Sequence, residues 1–241
     1  MKLVAALLAL FILPGSAIAF WEGLKLLPAD PAMIKFLIIG VVTGTGIYFL
    51  LLRRWNYFLT FEHEFTHAFM SLLFFRRINR FVVTGNDGGY MQHSGGFGGE
   101  FGNIMITMAP YYLPTFTIIL LLFQPLIPSK FMPAFIAAAG FTFVFHFFST
   151  SREIKQNWSA DVFNPAGNSE FMKTDIARSG FVFSILFILT MTLFFDALVF
   201  WILKYSYHGF MPLVRNVIHD SLFFHKSLFA WIFQLIDSLI K

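Results

Sequence analysis

Residues 61–69 of the chain read FEHEFTHAF, and this stretch decides how the rest of the sequence is interpreted. It contains the pattern His63-Glu64-x-x-His67, whose four-residue spacing places both imidazoles on one face of a helix, about one turn apart. That arrangement suits a zinc ion. Glu64 directly follows His63, so its carboxylate can reach a water molecule bound to the zinc. Zinc lowers the pKa of such a water towards about 7, and Glu64 can then take its proton. The stretch therefore predicts a hydrolytic zinc site with Glu64 as the general base.

A five-residue pattern also arises by chance, and two histidines could simply fill polar gaps in a helix bundle. The surroundings favour the metal, because the motif lies in an apolar segment together with one further acid, Glu62. Ionisable side chains in membrane helices cost on the order of 2.5 to 3.5 kcal/mol each, and a bound metal offsets that cost.

The composition is that of a membrane protein. Of 241 residues, 57% are hydrophobic and only 12% are charged, and 35 are phenylalanines. Cysteine is absent, so any metal must be bound by histidine, aspartate or glutamate. The net charge is +4, with the basic residues next to apolar segments, as expected for topology determinants and contacts with anionic lipids. No pattern indicates a nucleic-acid partner, and none indicates an oligomeric state.

The apolar segments predict an all-α polytopic membrane protein, a bundle of about five to six transmembrane helices with a small β-hairpin after the HExxH helix. We interpret residues 1–241 as a single integral-membrane domain. Residues 1–20 are expected to form either a first span or a signal peptide, and residues 209–241 an amphipathic segment at the membrane interface. The motif helix is expected at residues 57–75, and the other spans at residues 33–52, 103–127, 130–149 and 179–203.

The connections carry further predictions. Asn86-Asp87-Gly88-Gly89, between two short extended runs, is the turn signal that predicts the hairpin. Pro110 and Pro114 are expected to kink the span 103–127, which should run antiparallel to 130–149. The polar stretch 150–178 is interpreted as a loop or surface segment on the same side of the membrane as the hairpin. The motif helix either crosses the membrane or enters it without crossing, because its flanking arginines favour the same side.

A hydrolytic zinc site usually has three protein ligands and one open position, so one ligand besides His63 and His67 is missing. Asp175 is the first choice, because it begins the last strong span, although an acid there also suits the helix dipole. Three further residues remain open as alternatives: Asp161 in the polar stretch, Asp196 within apolar FFDALVF, and His146 near a span end.

Three stretches resemble the site-2 protease family, the intramembrane zinc metalloproteases, and in particular its bacterial members: FEHEFTHAF at 61–69, GNDGGYMQHSGG at 85–96 and KTDIARSGFVFSILFI at 173–188. The resemblance implies Zn²⁺ held by His63, His67 and Asp175, with Glu64 as the base. It also implies a membrane-spanning protein substrate that pairs with residues 81–92, and a place in the bacterial inner membrane. Asp175 is followed here by isoleucine, where the family usually has glycine.

Two other classes of function compete with proteolysis. A non-proteolytic membrane protein could keep the metal for binding or scaffolding, but the intact Glu64 argues against that. A transporter could use the same acids and histidines to relay ions, but the sequence has no repeated halves.

Overall fold

The computed structural model describes residues 1–27, 30–85, 88–163 and 175–240 of the chain. Within these ranges the regular secondary structure is helical except for one two-stranded antiparallel sheet, β1 (Arg77–Val83) and β2 (Gly89–Ser94). The helices are α1 (Lys2–Leu26), α2 (Pro31–Leu50), α3 (Asn56–Leu73), α4 (Gly99–Tyr112), α5 (Thr115–Leu122), α6 (Met132–Phe163), α7 (Asp175–Ser179), α8 (Phe181–Tyr205) and α9 (Phe210–Ile240).

The long helices make the protein an integral, multi-pass membrane protein. Within the described ranges, four segments are long and apolar enough to cross a membrane, and α4 with α5 make a fifth if that bent pair counts as one span. The four segments are Lys2–Leu26, Pro31–Arg54, Ser129–Asn157 and Phe181–Asp237. The predicted helical polytopic fold with a small hairpin is therefore confirmed.

Small residues let neighbouring spans approach closely. In α2, a Cβ added at Gly40 would lie 1.9 Å from the carbonyl oxygen of Ala137 in α6, so only glycine fits this contact. In α1, the Gly15 amide donates a hydrogen bond of 3.2 Å to Ser221 Oγ of α9. Close approach of backbones through small residues is the usual way in which helices pack in a membrane, where burial of apolar surface gives no extra drive.

The contacts between helices also give their directions. Arg152, late in α6, donates a hydrogen bond of 2.9 Å to the carbonyl of Arg53, which follows α2. The α-amino group of Met1 lies 3.8 Å from Glu100, early in α4. Since α1 and α2 are joined by a short link, Met1 and Arg53 lie at the same end of the bundle, which we call the site end. Both the start of α3 and the end of the hairpin are therefore at the site end, and α3 does not cross the bundle.

The span expected at 103–127 is broken rather than kinked. The helices α4 and α5 meet at an angle of 94°, and the break falls at Leu113, whose backbone is extended at φ −99° and ψ 110°. Pro114 explains the break, because a proline disfavours helical backbone in the residue before it and has no amide hydrogen to donate. Pro110, in contrast, lies inside α4.

The prediction of a loop over 150–178 was wrong for its first part. The helix α6 continues without interruption to Phe163. Glu153, Gln156 and Asn157 in this extension line the cavity described below, so the polarity that suggested a loop belongs to the wall of a polar cavity. Residues 164–174 lie outside the described part of the chain.

The hairpin returns along α3. Val83 pairs with Gly89 at the tip and Arg77 with Ser94 at the base, with an irregularity between Ile78 and Arg80. The predicted turn residues 86 and 87 lie outside the described residues, but the strands on either side bear out the hairpin.

Candidate metal centre

The helix α3 carries the motif residues, and its periodicity sorts them onto two faces. His63, Glu64 and His67 line a cavity at the site end. Glu62 faces α6 instead, where one carboxylate oxygen lies 3.5 Å from His146 Nδ1 and the other accepts a hydrogen bond of 3.4 Å from Ser149. Glu62 is therefore a packing partner behind the motif and takes no part in the cavity wall.

Asp175 completes a cluster with the two histidines. Its Oδ2 atom lies 3.7 Å from His63 Nε2 and 3.5 Å from His67 Nε2, and the two Nε2 atoms are 3.1 Å apart. With Zn–N distances of about 2.0 to 2.1 Å, two ligand atoms of a tetrahedral site lie about 3.3 Å apart. The three separations are within a few tenths of an ångström of that value, so the residues fit a zinc ion.

Among the described residues, these three form the one group whose ligand atoms could share an ion, all within 4.8 Å of one another. Asp196 and His146 are not part of it. The side chain of Asp161 lies outside the described part of the chain. The structure thus brings together the two motif histidines and the residue that the sequence placed first as third ligand.

The position of Asp175 depends on the junction between α7 and α8. Asp175 is the first residue of the five-residue helix α7, which Gly180 separates from α8 with a φ of 95°. Ser184 fixes the junction, because its hydroxyl donates a hydrogen bond of 3.2 Å to the Ile176 carbonyl.

Hydrogen bonds at Nδ1, on the side of each ring away from the cluster, orient both imidazoles. His67 donates from Nδ1 to the Ile106 carbonyl at 2.7 Å, and His63 donates from Nδ1 to Glu153 Oε2 at 2.6 Å. These bonds leave both Nε2 atoms without a proton and directed at the cluster. A carboxylate or carbonyl behind a histidine is the usual outer partner of a metal ligand, since it fixes the tautomer and the ring orientation.

Sequence reasoning did not identify Glu153 or Ile106 as part of the site. Ile106 contributes only its carbonyl, for which no side-chain signal exists. Glu153 lies in the polar sequence SREIKQN at 151–157, which was interpreted as a loop, and only helical periodicity from Ser149 to Asn157 could have drawn attention to it.

The cluster opens into a cavity of about 890 Å³. One wall is β2, from Gly89 to His93, and the lining also includes Tyr111, Gln156 and Asn157. A Cβ added at Gly89 would lie 2.7 Å from Glu64 Cγ and 2.8 Å from the Val82 carbonyl. The strand therefore passes directly against the motif glutamate, at a distance that only glycine allows.

The fold and this cluster define a class, a polytopic membrane protein with a candidate metal site. Residues 33–159, just over half of the chain, match the family model described as Peptidase M50B-like. The chain belongs to the Peptidase M50B-like family and is a membrane metalloprotease, which confirms the resemblance to the site-2 proteases. The match includes the HExxH motif and ends before Asp175. No curated protein and no solved structure matches the chain significantly.

Proposed function

We propose that the protein is a zinc-dependent intramembrane protease in which His63, His67 and Asp175 hold the zinc and Glu64 is the catalytic base. The observation that carries this proposal is the cluster of three ligand atoms within 4.8 Å, next to the glutamate of an HExxH helix. Peptidases of this family are zinc-dependent in general, and two imidazoles with one carboxylate form a common hydrolytic zinc site.

The residues of the chain then have distinct tasks. Zinc would supply Lewis-acid activation of a water molecule and of the substrate carbonyl. Glu64 accepts a proton from the water molecule while the water oxygen attacks the carbonyl carbon of the substrate. Glu64 then returns this proton to the leaving amine as the C–N bond breaks. Glu153 and the Ile106 carbonyl keep the two histidines in the tautomer that binds metal.

The substrate that best suits this cavity is a peptide in extended conformation. Within the described residues, β2 pairs with β1 on one edge only, and its residues line the cavity beside the cluster. A segment of a membrane-spanning protein that unwinds can add to the free edge of such a strand through main-chain hydrogen bonds. Pairing of this kind would present its peptide bonds to Glu64, which β2 passes at Gly89.

The membrane supplies both the substrate and the surroundings of the protein. Exposed leucine, isoleucine and phenylalanine side chains cover α1, α2 and α9, as expected for surfaces that face lipid. Arg53, Arg54 and Arg152 lie at the site end, and by the positive-inside rule that end faces the cytoplasm. We propose that the protein is a single metallopeptidase domain whose active site opens to the cytoplasmic side, and the resemblance to bacterial site-2 proteases supports a place in the bacterial inner membrane.

The direct test is cleavage of apolar peptides by the zinc-loaded, full-length protein. The probes are quenched-fluorescence peptides of about 20 apolar residues with lysines at both ends, long enough to span a bilayer, presented in detergent micelles. We expect cleavage by the wild type and a loss of about 10²- to 10⁴-fold in Glu64→Gln, which removes the base. Equal cleavage by both proteins would contradict the assignment of Glu64.

A further inference from the structure

The residues on one face of β2 differ in chemical character, and they lie at increasing distance along the strand from Glu64. Along this strand half-buried and exposed residues alternate, so that Gly89, Met91 and His93 share the face towards α3 while Gln92 is exposed. Gly89 adjoins Glu64 and offers no side chain, Met91 is apolar, and His93 is a hydrogen-bonding group. Each lies in the cavity wall.

A buried arginine stands behind His93. Arg76 is 7% exposed, and its guanidinium donates to Asn103 Oδ1, to the Gly99 carbonyl at 3.0 Å and to His93 Nδ1 at 3.2 Å. Among the described residues, no carboxylate lies within ion-pair distance of it. The positive charge of Arg76 is therefore held in place by neutral acceptors.

This contact fixes the tautomer of His93. A guanidinium has five donors and no acceptor, so in the bond between Arg76 and His93 the imidazole Nδ1 must accept. A neutral imidazole that accepts at Nδ1 carries its proton at Nε2. The Nε2–H group of His93 has no hydrogen-bond acceptor among the described residues.

The same surroundings keep the ring neutral. Burial lowers the pKa of His93, and the charge of Arg76 lowers it further. His93 thus presents one N–H donor in a locally positive environment, a combination that suits an oxygen acceptor.

We propose that His93, held by Arg76, forms a subsite of the protease that selects a substrate side chain with an amide or carboxylate oxygen. This inference rests on the proposed function, because it takes β2 as the strand with which the substrate pairs. Residues opposite each other on paired strands share a face of the sheet. Every second substrate side chain therefore lies in turn beside Gly89, Met91 and His93.

Pairing of the substrate with β2 predicts a pattern in the substrate sequence. The residue beside Gly89 has room next to Glu64, the residue two positions away packs on Met91, and the residue four positions away receives the donor of His93. His93 contacts the substrate directly, whereas Arg76 acts through it as a positioning residue.

Peptide binding tests the subsite without turnover. The probe is a fluorescently labelled ten-residue peptide of leucine and alanine, with glutamine substituted at one position at a time, bound to full-length Glu64→Gln. We expect glutamine at one position to lower Kd about three- to tenfold, the range of a single added hydrogen bond. The gain should vanish with His93→Phe, persist in part with His93→Gln, and remain unchanged in the control Ser94→Ala, which alters an exposed residue of β2 that does not line the cavity. Affinity for the all-apolar peptide should be the same in Glu64→Gln and in the control that adds Ser94→Ala.

Imidazole ¹⁵N NMR tests the tautomer in the resting protein, with the His93 signals assigned by their loss in His93→Gln. The wild type should show Nε2 protonated and Nδ1 unprotonated, and Arg76→Gln should show a mixture of tautomers. An Nδ1–H tautomer in the wild type, the absence of any position where glutamine improves binding, or a gain that survives His93→Phe would each overturn the proposal. Failure of the wild type to cleave peptides would instead contradict the proposed function, and both measurements here are independent of it.

Discussion

At the scale of single residues, the site combines local and distant contributions. His63, Glu64 and His67 were predictable because helix periodicity alone brings them onto one face. Asp175 was predictable only as one choice among several, since its place beside the histidines depends on how α7 and α8 dock on α3. Glu153, Arg76 and His93 were not predicted, because a carboxylate in a polar stretch and an arginine in a basic cluster give no sign of the side chain that they contact.

Glu153 provides a residue-scale prediction. Glu153→Ala removes the acceptor of His63 Nδ1–H, so zinc affinity should fall about 10- to 100-fold, as for other outer partners of metal ligands. Competition with a chromophoric chelator measures this affinity. Glu22→Ala is the matched control, because Glu22 is an exposed residue of α1 whose ion-pair partner among the described residues is Lys25, three positions along the helix. Unchanged affinity in Glu153→Ala would show that His63 does not depend on this carboxylate.

A second residue-scale prediction concerns the contact between β2 and Glu64. Gly89→Ala would place a methyl group 2.7 Å from Glu64 Cγ, so peptide cleavage should fall at least tenfold while about one zinc per chain remains bound. Gly85→Ala is the control in the same hairpin, since its Cβ would meet nothing closer than 3.9 Å. Parallel measurements of zinc content and cleavage decide the matter, and full activity in Gly89→Ala would mean that the strand does not approach the base.

At the scale of elements, apolar length and period predicted α2, α3, α8 and α9 to within a few residues. The chain bends more sharply between α4 and α5 than the expected kink. Pro114 disfavours a helical backbone at Leu113, and α5 packs against other helices of the bundle. Thr115 at the start of α5 hydrogen-bonds to Thr66 of α3 at 2.8 Å. The extension of α6 was missed since a helix face that lines a polar cavity has the composition of a surface loop.

The packing of α2 on α6 gives an element-scale prediction. Gly40→Leu would overlap the backbone of Ala137, and overpacking of this kind typically costs about 1 to 3 kcal/mol. Gly46→Leu alters the same helix where no atom lies within 4 Å of an added Cβ. Thermal unfolding in detergent should show a lower midpoint for Gly40→Leu than for Gly46→Leu, and equal midpoints would contradict the close contact of these two helices.

At the scale of the whole molecule, the contacts at the site end favour a motif helix that enters the membrane without crossing it. The chain enters α3 and leaves the hairpin at the site end. The arginines before α3 and those in the hairpin can therefore lie on one side of the membrane. The sequence could not decide this, because a helix of 18 residues is long enough either to cross the membrane or to enter it without crossing.

The absence of cysteine makes this topology directly testable. Single-cysteine variants Gln92→Cys in the hairpin and Lys155→Cys in α6 should react with a membrane-impermeant maleimide from the same side, and that side should be the cytoplasmic one. Lys130→Cys, before α6 at the other end of the bundle, should react from the opposite side. Labelling of Gln92→Cys and Lys155→Cys from different sides would contradict the arrangement of α3.

The proposed function depends on the metal site, and elemental analysis of the purified protein shows whether the site binds zinc. Wild type, His67→Ala, Asp175→Ala and the control Asp220→Ala, on α9 away from the cluster, are purified in the same detergent and supplied with zinc. We predict about one zinc per chain in the wild type and the control, with the metal lost in His67→Ala and reduced in Asp175→Ala. A folded wild type without zinc, or full zinc in both ligand variants, would show that His63, His67 and Asp175 do not form a zinc site.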